Sequence, residues 1–413
     1  MLETYFVAPK TLRRLRAGPS GPYIDGFASS LEQDGFSHAC AVRYLRAAAH
    51  LGHFLEQQGR TLANIDSSTA AAFLRHFTTC RCPDSNGGTR NHHTYFGAKR
   101  YHEYLIKIGT CQNSIKSQLP DPALIADFRY WLQKHRGAAD ATIRQYTRGA
   151  LDAIKALGDD PTCWTAKSVR AYFTERASKC GVGTAPKLVT SLRAFLRFLG
   201  VHGHCQADLH ESVPAFAAWR LAELPRYLNA EQVERLIAAC DGGSSRHRRD
   251  RAIILLLARI GLRAGDVARL RIGDIEWNTG SMRVSGKGRY QVRLPLPQDV
   301  GDAIIDYLKC RPAVPDDDHV FVRNIAPYRP FVRGDGVSSV VRTAMKRSGV
   351  TTPAKGAHVL RHTAATEMLR HGVPLDQIAL VLRHHGVDTT AVYAKADVNL
   401  LKQIAQPWPD ALR

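Results

Sequence analysis

The sequence predicts a mainly α-helical protein with a small β-hairpin: two N-terminal helical bundles followed by a larger C-terminal domain. Three observations carry this. Apolar residues recur at three- and four-residue steps along most of the 413-residue chain, the spacing that lines one face of a helix. Two stretches of the N-terminal half resemble each other. One stretch alone, SMRVSGKGRYQVRLPLP, instead alternates on both sides of a Gly-Lys-Gly turn, as a hairpin does.

The first bundle begins with FASSLEQDGFSHACAVRYLRAAAHLGHFLEQQG and continues with IDSSTAAAFLRHF. The second begins with FRYWLQKHRGAADATIRQYTRGALDAIKALG and continues with WTAKSVRAYFTER. Phe27, Leu31 and Val42 match Phe128, Leu132 and Ile143 at a constant offset. Each stretch ends in a basic, aromatic helix, TYFGAKRYHEYLIKIG and KLVTSLRAFLRFLG. The expected domains are therefore residues 1–112, an extra copy of the second module, and residues 121–207, with a linker at TCQNSIKSQLPDP. A second linker, ESVPAFAAWRLAELPRY, precedes Asn229 and Gln232, a capping-box pair that starts the third domain, 226–413.

Composition narrows the function. With 44% hydrophobic and 23% charged residues the chain reads as an ordinary soluble protein. No apolar run approaches the roughly 18 residues of a membrane span. The N-terminus lacks the apolar core of a signal peptide, so a cytoplasmic location is expected. Lys plus Arg number 57 against 37 for Asp plus Glu, a formal charge of +20. Such a surplus points to a polyanionic partner, with nucleic acid foremost. An odd count of cysteines, 9, argues for free thiols. Cys80 and Cys82, followed by His92 and His93, match the ligand spacing of a zinc site poorly, so no metal is expected.

Four motifs fall in the third domain. Arg263 lies in RIGLRAGDVARL, and Lys287 in the turn SGKGRYQVRLPL. His358 and Arg361 share one helix face in HVLRHTAATEMLRHG. His384 precedes Tyr393 by nine residues in HHGVDTTAVYAKA. Each alone has a bland reading as a solvated cation, a turn decoration or a packed side chain. Together they keep one order and one spacing.

In that order and spacing the third domain resembles the catalytic domain of the tyrosine recombinase (phage integrase) family. The family's arginine in a G-L-R turn, hairpin lysine, H-x-x-R helix, second histidine and nucleophilic tyrosine match Arg263, Lys287, His358, Arg361, His384 and Tyr393. Asp266 stands where the family carries a supporting carboxylate. Residues 121–207 are more loosely similar to its core-binding, SAM-like domain. Two positions depart from the pattern. Arg383 replaces the glycine of Leu-Gly-His, and spacing to Tyr393 favours His384 over His385 as the second histidine. Ala364 stands where an aromatic residue is common.

The resemblance implies a site-specific DNA recombinase that integrates, excises or resolves DNA elements through a 3′-phosphotyrosine intermediate. It implies a double-stranded DNA recombination site as partner, a tetramer on DNA, and possible sister recombinases. Physical chemistry agrees with the residue types. Two guanidiniums clamp the oxygens of a phosphate gathering charge, which a lysine does less well. Histidines 358 and 384 add hydrogen bonds, and His358 can exchange a proton with the phenol. Lys287 is the natural proton donor to the departing 5′ oxygen. A covalent intermediate stores the bond energy, so no ATP, metal or other cofactor is expected, and no GxxxxGK[ST] loop is present. The competing expectations are relaxation of DNA in the manner of a type IB topoisomerase and a catalytically inactive, DNA-binding accessory partner of another recombinase. Beyond Tyr393, Leu400, Leu401 and Ile404 form an apolar stripe that the resemblance would dock in a neighbouring protomer.

Overall fold

The computed structural model describes residues 1–65, 67–76, 80, 92–111, 123–181, 183–215, 226–285, 291–314, 317–352, 356–383, 390 and 393. Helices dominate. In chain order they are α1 (Pro9–Ala17), α2 (Gly21–Gln33), α3 (His38–Gln57), α4 (Ser67–His76), α5 (His92–Lys107), α6 (Ala123–Lys134), α7 (Asp140–Leu157), α8 (Ala166–Ser178) and α9 (Ala185–Val201). The C-terminal part adds α10 (Ala230–Ala238), α11 (Ser245–Arg259), α12 (Ala264–Arg269), α13 (Gln298–Leu308), α14 (Gly334–Ser348), α15 (Ala357–Arg370) and α16 (Leu375–Leu382). None of the described helices is long and apolar enough to cross a membrane. The eight described cysteines are free thiols, as expected.

Two compact units form. One comprises Arg60–Thr79 and Leu105–Arg220. Its core packs Phe128 of α6 at a tilt against Phe195 and Phe198 of α9, with ring centroids 5.0 and 5.2 Å apart, and closes over Trp164 and Leu192. The other comprises Met1–Gly59, Cys80–Tyr104 and Leu221–Arg413. Within it Phe27 of α2 packs on Tyr101 of α5 at 5.0 Å. Phe27 and Phe128, matched in the repeat, thus each pack against aromatic residues of a basic helix. Gly26 lets that helix close in, since a Cβ there would lie 2.2 Å from the Tyr104 hydroxyl.

The C-terminal part of this second unit is organised around α11. The sequence RAIILLLA is apolar on every face, and a helix of that kind must be surrounded. Residues Ala252 to Ala258 are all buried, against α13, α14 and α15. The capping box expected at Asn229 starts α10: Gln232 donates its amide to Asn229 at 2.8 Å, and Asn229 donates its own to Gln232 at 3.0 Å. The expected hairpin is present as β2 (Ser281–Ser285) and β3 (Gln291–Pro295), antiparallel with Met282 opposite Leu294 and Val284 opposite Val292. A third strand, β1 (Ile275–Glu276), joins β2 and makes a three-stranded sheet. Two residues are too short to show an alternation, so this strand had no sequence signal. Met282, Val284 and Leu294 turn inward to the α11 core.

Candidate active site

The site is built where α11, α12, α15 and α16 end or begin. After α11 the chain turns at Gly261, with φ +72. Two constraints fall on that glycine. The left-handed conformation penalises a side chain, and a Cβ would meet Leu382 Cδ2 at 2.7 Å and Ala364 Cβ at 3.3 Å. Ala364 therefore sits at a tight approach of α15 to this turn, which is the physical context of its small size.

Arg263 follows as the N-cap of α12; its carbonyl receives the amides of Asp266 and Val267 at 2.8 and 3.1 Å. Its half-buried guanidinium donates from Nη2 to the Arg383 carbonyl at 2.6 Å. Arg361, only 5% exposed, reaches from α15 into the same place. It donates from Nη1 to the Gly261 carbonyl at 2.5 Å and from Nη2 to the Leu382 carbonyl. The two arginines are thus held by consecutive carbonyls at the end of α16. Burial, and then the nearby Arg263 charge, push Arg361 down to about 10, so it remains a cation at neutral pH. Burial followed by the Arg383 charge also lowers Arg263.

Asp266 is buried in the first turn of α12. It accepts from Arg269 Nη2 at 2.9 Å and from Arg383 Nη2 at 2.5 Å. Arg383 ends α16 in the left-handed region, φ 55 and ψ 51.

Tyr393 is 2% exposed and packs with Ala365, Ile378 and Leu382. Its hydroxyl lies 2.9 Å from His362 Nδ1, with the rings tilted and their centroids 5.5 Å apart. Burial raises the phenol above its ordinary value, with a smaller opposing pull from Arg361. Burial, then the neighbouring His358 and Arg361, lowers His362. Both shifts favour a neutral pair, a phenol donating its proton to an unprotonated imidazole nitrogen. His358 itself is exposed on the first turn of α15. The histidine hydrogen-bonded to the Tyr393 hydroxyl is therefore His362, which the sequence did not single out. Its signal was present: it follows Arg361 directly and lies four residues after His358, on the same helix face.

The structure accordingly brings Arg263, Asp266, Arg361 and Tyr393 into one neighbourhood and leaves His358 at its surface. Lys287 and His384 lie outside the described residues. Of the Cys80, Cys82, His92 and His93 grouping, Cys82 lies outside the described residues, His92 and His93 begin α5, and the Cys80 thiol lies 3.0 Å from His50 Nε2.

Residues 226–399 match the model of the phage integrase family. The chain is 34% identical to a protein of Sinorhizobium fredii, y4rA, named as a candidate integrase/recombinase, over 98% of each chain. The chain belongs to the phage integrase family of tyrosine recombinases. Solved members share the fold. XerH bound to a palindromic difH substrate, in a post-cleavage complex, aligns with a TM-score of 0.54 at 17% identity, covering 68% of this chain and 83% of that one. A lambda integrase tetramer bound to a Holliday junction aligns with a TM-score of 0.52 at 16% identity, covering 74% and 88%. In this tyrosine recombinase fold, Arg361 on α15 lies near Arg263, Arg383 and Tyr393.

Proposed function

We infer that this chain is a site-specific DNA recombinase that breaks and rejoins duplex DNA through Tyr393. The observation that carries the reading is the buried pair of Tyr393 and His362 beside two guanidiniums held ready on backbone carbonyls. The Tyr393 oxygen attacks a backbone phosphorus while its proton passes to His362 Nδ1. The bond to the 5′ oxygen breaks as the new phosphorus–oxygen bond forms, leaving the 3′ phosphate on the tyrosine. Lys287, in the hairpin turn, protonates the departing oxygen, and a 5′ hydroxyl reverses the steps on rejoining.

Arg263 and Arg361 oppose the charge gathering on the non-bridging oxygens, and His358 and His384 add hydrogen bonds. Because the carbonyls already orient both guanidiniums, little reorganisation accompanies the reaction, which is how fixed donors lower a barrier. Charge is conserved throughout, and the phosphotyrosine keeps the bond energy, so neither ATP nor a metal is called for.

The +20 charge supports duplex DNA as the partner. The fold similarity to a lambda integrase tetramer on a Holliday junction supports assembly in fours. Residues 121–207 would act as the core-binding domain, 1–112 as an additional DNA-binding module and 226–413 as the catalytic domain. Integration, excision and resolution of DNA elements all use this chemistry.

The test is to recover DNA covalently attached to the chain in cells, then present the recovered site as a nicked duplex. The wild type should accumulate a 3′-phosphate link to Tyr393. A link mapped to any other residue would overturn the assignment.

A further inference from the structure

Arg383 occupies the position at which the family pattern has glycine, and its backbone shows why glycine suits. It is the one non-glycine residue among those described with a positive φ, 55. A side chain there is retained against backbone strain. This side chain is also buried, 6% exposed, with a carboxylate on one nitrogen only. Asp266 takes Nη2, while Nε and Nη1 are buried and have no hydrogen-bond partner among the described residues.

Buried donors without acceptors are uncommon and costly, and they ask for an explanation. Surplus charge supplies one. Arg263, Arg361 and Arg383 converge on the end of α16 with the Asp266 carboxylate as the nearest described counter-charge. The charge of Arg383 is felt at both of the other arginines. Leaving aside Arg269, whose exposed side chain also reaches Asp266, three cations and one anion leave two positive charges unbalanced. A group with several oxygens and negative charge fits that deficit.

We propose that Arg383 is a third phosphate-binding arginine of the active site, fixed at Nη2 by Asp266 and donating through its remaining N–H groups to a non-bridging oxygen of the scissile phosphodiester. This rests on the reading that the chain cleaves DNA through Tyr393. Asp266 then serves as more than a counter-ion, because it aims the guanidinium. Glycine in the same turn would leave the carbonyls that hold Arg263 and Arg361 in place and remove only the third charge.

The experiment uses the full chain and a nicked duplex carrying the site recovered from cells, with either a normal phosphodiester or a methylphosphonate at the scissile position. The methylphosphonate replaces one charged oxygen by a methyl group. Arg383→Gly should cleave the phosphodiester about 100-fold more slowly than the wild type at saturating DNA, the loss typical of one transition-state donor. On the methylphosphonate the deficit should shrink to within about threefold, because there is less charge to oppose.

A second variant, Arg383→Gly with Asp266→Asn, leaves no unpaired carboxylate and should show the same narrowing, which guards against misfolding. An equal deficit on both substrates would make Arg383 structural and overturn the proposal. So would phosphodiester cleavage by Arg383→Gly within about threefold of the wild type. Failure of the wild type to form any adduct would instead overturn the recombinase reading itself, before a variant is compared.

Discussion

Removing the Asp266 carboxylate is the sharpest test of how the pocket is held together. Asp266 and Arg383 are 4% and 6% exposed and 2.5 Å apart, so their interaction is little screened by water. Asp266→Ala strands the Arg383 guanidinium beside Arg263 and Arg361. Breaking a buried ion pair from one side costs about 3–5 kcal/mol. The second partner, Arg269, is 60% exposed and adds at most about 1 kcal/mol. The chain forms two units, so one global transition is a poor measure, and hydrogen exchange of amides in α11 and α15 reads the affected unit directly. At about 1.4 kcal/mol per decade, these amides should exchange roughly 100-fold to several thousand-fold faster. Removing the guanidinium as well should recover stability. In the double variant Asp266→Ala, Arg383→Gly no charge is stranded, and glycine relieves about 1–2 kcal/mol of left-handed strain. The double variant should therefore be more stable than Asp266→Ala by about 2 kcal/mol or more. A loss below about 1 kcal/mol in Asp266→Ala, or strictly additive effects, would refute the ion-pair argument.

Other outcomes follow from the same geometry. Arg263→Ala and Arg361→Ala should each slow adduct formation by about 10²–10³-fold with duplex affinity nearly unchanged, and cleavage within threefold of the wild type in both would sink the clamp. His362→Ala should slow it by about 10²-fold or more and remove the acidic limb of the rate profile, checked by single-turnover kinetics across pH. In the wild type that limb should lie below the ordinary histidine value of about 6.5, because His362 is lowered in the fold. For stability the sign is the same: the unfolded imidazole binds its proton first, so stability falls as pH drops through that window, and a flat acid profile of exchange in α15 would contradict it. Tyr393→Phe should bind duplex and form no adduct, and the wild-type reaction should persist in EDTA without nucleotide; a strict magnesium requirement would point to nuclease chemistry.

Much of the candidate site was legible in residue order. The candidates Arg263, Asp266, Arg361 and Tyr393 stand out by the order and spacing of their residue types, and α15 places His358 and Arg361 by helical periodicity alone. The hairpin and the α10 capping box are likewise local, written within a few residues of each other. What the linear chain could not decide are relations between segments about a hundred residues apart. Arg361 bonds the carbonyl of Gly261, and Arg263 that of Arg383, because the end of α16 closes over the Gly261 turn. His362 partners Tyr393 across a shorter separation of 31 residues, although sequence spacing made His358 the more visible histidine. Arg383 looked like a departure from a pattern, and only the fold shows its side chain buried against Asp266. Periodicity acts through neighbours on one element, whereas hydrogen bonds and charge act through space, and it is packing that chooses which distant residues share that space.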